Sequence, residues 1–147
     1  MGLFSKVLGS DNTPTTLSNE EAFVGILLAA IAADGHISNE EITDFNSFVQ
    51  KPKTLQNVTG TAFNEMIDKL FRIFRREGLD QLVKLSADNL PEALRKGAFA
   101  MACDLLFSDG TIEHEEEGLL EKLKDLLCVD DSTATKIVEV MVIKNRV

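Results

Sequence analysis

Apolar residues in this chain recur every three to four positions, the period of helices that bury one face. Strand-like alternation is weak. The densest apolar stretch, residues 22–33, contains Gly25 and ends at Asp34. It is too short to cross a bilayer and reads as a buried helix. Ser18 followed by Glu21 has the spacing of a capping box, in which hydroxyl and carboxylate satisfy the free amides of a helix start. A first helix is therefore expected over about 18–33, with Ala29, Ala30, Ala32 and Ala33 allowing close packing. Ser38 and Glu41 repeat the spacing and predict a second helix with Ile42, Phe45, Phe48 and Val49 inward.

The period lapses over 51–60, where Pro52 and Gly60 bracket a linker. A third helix is expected at 61–77, burying Phe63, Met66, Ile67, Leu70, Phe71 and Phe74, with Gly78 as its stop. A short helix follows at 79–87. Pro91 suits the first turn of another, running to Phe107. One more reaches Leu127, and Asp130 caps the last, which carries Ile137, Val138, Met141 and Val142. Seven helices with short connections predict an all-α compact bundle. Gly25 and Gly97 are expected at close helix contacts.

At 147 residues the chain suits one domain, placed at 18–147 behind an arm at 1–17. The opening Met1-Gly2-Leu3-Phe4-Ser5-Lys6 is too short and too lightly charged for a secretion signal, and Lys6 breaks the myristoylation pattern. The arm is either plain chain or an anchor on a membrane or partner. Cys103 and Cys128 lie in apolar helical patterns and read as buried, reduced thiols. Net charge is −9 and uneven: residues 104–131 hold ten acids and two bases. That balance argues against nucleic acid as a partner, because phosphates require a cationic surface. The basic exceptions, Lys69, Arg72, Arg75 and Arg76, share one helix stripe. They form either a solvated face or a docking strip for acidic partners or anionic lipid.

An acidic turn occurs twice. Asp34-Gly35-His36-Ile37-Ser38-Asn39-Glu40-Glu41 and Asp109-Gly110-Thr111-Ile112-Glu113-His114-Glu115-Glu116 share the pattern D-G-x-I-x-x-E-E, 75 residues apart. Each follows an apolar helix and opens another, which predicts two related halves. The pattern is half of a calcium loop: a sharp Asp-Gly bend, an inward Ile, and a Glu reaching back from the exiting helix. The earlier loop positions are Ala30 and Ala32 in one copy and Leu105 and Phe107 in the other, so neither turn alone supplies calcium's six to eight oxygens. Packed about a pseudo-twofold axis, Asp34, Glu41, Asp109 and Glu116 could form one shared site, with Asp104 joining from the preceding helix. Carboxylates so gathered would take a divalent cation or stay partly protonated. Oxygen donors favour calcium, magnesium or manganese; His36 and His114 leave zinc open. The competing account is that Asp-Gly turns and first-turn glutamates are ordinary helix joints.

At these residues the chain resembles the TerB tellurite-resistance family. The likeness rests on Ala33-Asp34-Gly35 with Glu40-Glu41, on Ser108-Asp109-Gly110 with Glu115-Glu116, and on the opening Met1 to Val7. The resemblance implies an all-helical fold with internal pseudo-symmetry in a bacterial cytoplasmic protein. It also implies a role in tellurite and general stress resistance, through protein partners in assemblies associated with the membrane. It carries metal binding onto Asp34, Glu41, Asp109 and Glu116, and less directly onto Asp104, whose counterpart in the first half is Ala29. No Ser-His-Asp or Cys-His arrangement and no phosphate-binding Gly-rich loop is present, so a non-enzymatic protein is expected. The rivals are a metal-free helical scaffold and a metal-dependent hydrolase.

Overall fold

The computed structural model describes residues 16–33, 45–47, 49, 52–108 and 112–146. Among them stand six α-helices: α1 (Asn19–Ile31), α2 (Gly60–Glu77), α3 (Leu79–Asn89), α4 (Glu92–Phe107), α5 (His114–Leu126) and α6 (Asp131–Lys144), with a short 3-10 turn at Lys53–Leu55. Residues 45–47 are also helical. No strand occurs among the described residues, and the fold is all-α as the periodicity predicts. The expected twofold repeat turns on residues 34–44, which lie outside the described residues, as do Ile42, Phe48 and the Ser38–Glu41 cap.

Helix α1 forms the centre. Every residue from Ala22 to Ala30 is buried, so α1 has no solvent face along that stretch, as expected of a helix apolar all round. It packs mainly on α3 and α4, and also on α2. Its start is the predicted capping box. The Glu21 N–H donates to Ser18 Oγ at 3.1 Å, and the Ser18 N–H donates to Glu21 Oε1 at 2.8 Å. Lys69 of α2 joins this cap, donating to Glu21 Oε1 and to the Thr16 carbonyl, both at 3.1 Å. Of the stretch assigned to an arm, residues 16 and 17 are thus held on the body, and Leu17 is buried.

Gly25 sets how closely α1 and α3 approach. A Cβ built on it would lie 2.1 Å from Ser86 Oγ and 3.2 Å from Ser86 Cβ. Ser86 is fully buried, and its hydroxyl finds no hydrogen-bond partner among the described residues. The hydroxyl therefore sits against bare backbone where any other residue would place a side chain. Gly97, expected to do the same, is exposed, and nothing among the described residues lies within 4 Å of a Cβ there, so it marks no close helix contact among them.

Other boundaries differ in small ways. Thr59 caps α2, accepting the Ala62 N–H at 3.1 Å. Ile73, absent from the expected inner face, is buried beside Met66 and Leu70, while Phe63, Ile67, Phe71 and Phe74 are half-buried around the core. Gly78 joins α2 to α3 at φ +91°, a conformation that favours glycine. Pro91 stands at the cap of α4, one residue before its first turn. In the linker, Leu55 is buried, so the 3-10 turn is pinned to the core. No helix among the described residues is long and apolar enough to cross a membrane.

Two outcomes follow. Gly25→Ala should destabilise the protein by about 1–3 kcal/mol through overpacking, against the roughly 1 kcal/mol that alanine normally gains in a helix. Gly25→Ala with Ser86→Gly should recover much of that loss, read by urea unfolding of both. The second concerns acid. Burial works to raise the Glu21 pKa, but the Ser18 amide and the Lys69 ammonium outweigh it and hold it below its ordinary 4.5. A lowered folded-state pKa gives stability that is complete above 4.5 and lost as pH falls through the folded value. Lys69→Met should therefore shrink the stability lost between about pH 5 and about pH 3, measured by thermal melts across that range.

Candidate functional site

Helix α4 delivers the chain to the second acidic turn, and α5 carries it away. Among the five carboxylates read as cation ligands, Asp104 and Glu116 are described; Asp34, Glu41 and Asp109 lie outside the described residues, as does His36. Glu116 is the third residue of α5. The Glu113 N–H donates to its Oε1 at 2.9 Å, so the carboxylate turns back over the helix start. Glu113 and Glu116 thus form a capping box at the start of α5, at sequence positions that correspond to Ser38 and Glu41 in the repeated pattern. His114 is the first residue of α5 and is exposed.

Asp104 has a different position. It lies on α4, and its Oδ1 accepts from Lys144 Nζ and Asn145 Nδ2, both at 3.0 Å. Asn145 also donates to the Met141 carbonyl at 2.8 Å. These bonds clasp the end of α6 onto α4. The Asp104 side chain is 16% exposed while Lys144 is 57% exposed, so the clasp is shielded from water on its Asp104 side and open on its Lys144 side. No three His, Cys, Asp or Glu side chains gather among the described residues to hold a metal ion.

Beside the turn, α4, α5 and α6 enclose an open groove of about 900 Å³. Half-buried Phe107, Ile112 and Val138 supply its apolar surface, with Leu120 and Ala134 beneath. Glu117 and Glu121 stand on the α5 wall, Asp131 and Glu139 on the α6 wall. The wall cation is Lys124. Its ammonium lies 2.6 Å from Asp131 and 3.7 Å from both Glu121 and Asp125, and the Asp131 bond raises its pKa. The acidic spacing on α5 is visible in the sequence. Only the packing of α6 opposite turns it into a wall.

The cysteines divide. Cys103 is fully buried, and burial, aided by the charge of Asp104, pushes its thiol up to about 12. Cys128 is exposed, contrary to the buried helical reading. It sits past the end of α5 at φ +55°. Its N–H bonds the Asp125 carbonyl at 3.2 Å, and the Val129 N–H bonds the Lys124 carbonyl at 3.0 Å. That is the Schellman pattern, whose left-handed position is usually glycine. Leu127 and Val129 on either side are buried, so the apolar run hides a chain reversal that no glycine marks. The basic stripe divides as well. Lys69 is engaged at the α1 cap, Arg75 lies over the Phe71 ring at 6.0 Å, and Arg72 and Arg76 are exposed.

A maleimide reagent should therefore label Cys128 in the folded protein and reach Cys103 only on unfolding, as mass spectrometry would show; rapid labelling of Cys103 contradicts its placement. Cys128→Gly should raise stability by about 1 kcal/mol by relieving the left-handed strain, read from urea unfolding. Asp104→Ala should cost about 1–2 kcal/mol by releasing charged hydrogen bonds, with amide exchange rising first in the last turn of α6.

No curated protein and no solved structure matches the chain. A protein-family model does. Residues 20–138 match the family described as tellurite resistance protein TerB, a span that runs from the first turn of the central helix through both acidic turns to the middle of α6. The protein belongs to the TerB family.

Proposed function

We propose that this protein serves tellurite and general stress resistance without catalysing a reaction, by binding a divalent cation at its paired acidic turns and engaging protein partners. The observation that carries the reading is the repeated D-G-x-I-x-x-E-E pattern within the family-matched region, with Glu116 folded back over the start of α5 onto the Glu113 amide. A glutamate in the first turn of an exiting helix is the element that closes oxygen-ligand cation loops. Asp34, Glu41, Asp109 and Glu116 would be the ligands, each turn supplying two. Asp104 is better suited to the clasp on α6, since its Oδ1 is held by Lys144 and Asn145. Oxygen-only donors favour calcium, with magnesium next and zinc open through the histidines. The bound ion would neutralise carboxylates that otherwise repel one another, and so join the two halves.

Direct chemistry on tellurite is the weaker idea. Tellurite is an anion, and the net charge of −9 disfavours its approach. The buried thiol of Cys103 is a poor nucleophile, with its pKa pushed up to about 12, while at the exposed Cys128 charge alone stands against the reaction.

A second reading, the metal-free scaffold, is favoured by one observation: Glu116 already serves as a helix cap. Calorimetry with calcium, magnesium, manganese and zinc separates the two. The cation reading expects saturable heat at one equivalent and a rise in melting temperature of roughly 5–10 °C at a hundredfold excess over Kd. Asp34→Asn with Asp109→Asn should abolish both. Absence of heat with every ion favours the scaffold.

A further inference from the structure

The groove between α5 and α6 holds none of the four carboxylates proposed above as cation ligands, though His114 stands at its edge, and its chemistry specifies an occupant. Its floor is apolar, through Phe107, Ile112 and Val138. Both walls are acidic, through Glu117 and Glu121 on one side and Asp131 and Glu139 on the other. The ammonium of Lys124 is already shared among Asp131, Glu121 and Asp125, so it leaves the walls with excess negative charge. Gly118 lies in the α5 wall between the two glutamates, and nothing among the described residues stands within 4 Å of where its Cβ would be. An incoming chain can approach the α5 backbone there without meeting a side chain.

We propose that this groove docks a segment of a partner protein that carries apolar side chains flanked by lysine or arginine. The apolar side chains would cover Phe107, Ile112 and Val138, and the cationic heads would pair with the carboxylates of both walls. Apolar contact supplies most of the affinity, while the opposed charges steer and orient the segment. Acidic peptides and anionic membranes are disfavoured by the same walls. The inference rests on the partner-binding half of the proposed function and is independent of the cation.

The test uses the full chain in chelator, so that failure here leaves the cation reading standing and failure of the cation reading leaves this one standing. The probe is a fluorescent synthetic amphipathic helix of leucine and lysine, with a leucine–glutamate counterpart as control, read by anisotropy. Saturable binding of the lysine peptide is expected, with none of the glutamate peptide. Gly118→Trp fills open space and removes a helical glycine, so it should fold at least as well as the parent. It should weaken binding at least tenfold. Glu121→Lys with Glu139→Lys should do the same, whereas Glu65→Lys with Glu92→Lys, of equal charge change on exposed sites of α2 and α4, should have little effect. The proposal is overturned if the lysine peptide fails to bind, if the glutamate peptide binds as well, or if both lysine pairs weaken binding equally. It is also overturned if sedimentation shows a dimer that Gly118→Trp dissolves, since the occupant would then be a second copy.

Discussion

The fold depends on the enclosure of α1 from Ala22 to Ala30. A helix with buried residues from Ala22 to Ala30 has no face left for solvent, so other helices must surround it. Side-chain size then decides how closely they come. At Gly25 the spacing to α3 is set by the Ser86 hydroxyl; elsewhere alanines keep α1 thin. The remaining helices can be amphipathic because α1 is not: α2, α3, α4 and α5 each present a partial apolar face to the common core and a polar one to water.

This arrangement places the chemistry at the ends of helices. The central helix runs into the first acidic turn, and α4, which packs against it, runs into the second. Side chains near those ends have definite tasks. Glu21 closes the start of α1 and recruits Lys69, Glu116 closes the start of α5, and Asp104 holds the end of α6. A carboxylate in a capping role is already oriented, and orientation is what a cation site of several oxygens requires of its ligands. The two roles are compatible where a turn brings further oxygens to the same place.

Much of this was legible in the sequence because the decisive signals were local. The Ser18–Glu21 spacing, the Asp130 cap and the stop at Gly78 each act within a few residues, and the structure has them where the pattern puts them. Gly25 was legible as a contact but could not be told from Gly97, since partner and distance depend on which helix lies opposite. Cys128 was misread because its left-handed turn uses a residue that normally avoids it, between two buried apolar neighbours. The contacts of Asp104 with Lys144 and Asn145 could not be read from the sequence, because they lie some forty residues away. The groove was invisible for the same reason: its walls are ordinary acidic helix faces until α5 and α6 are set side by side.

The claim that ties these parts together is that both acidic turns serve a single cation. Paramagnetic manganese tests it most directly, because relaxation broadening of amide signals marks every nucleus close to the bound ion. At one equivalent the account predicts simultaneous broadening of the Asp34–Gly35 and Asp109–Gly110 amides, with the far ends of α2 and α3 unaffected. Broadening confined to one turn, or spread across the acidic surface without saturation, would contradict a shared site.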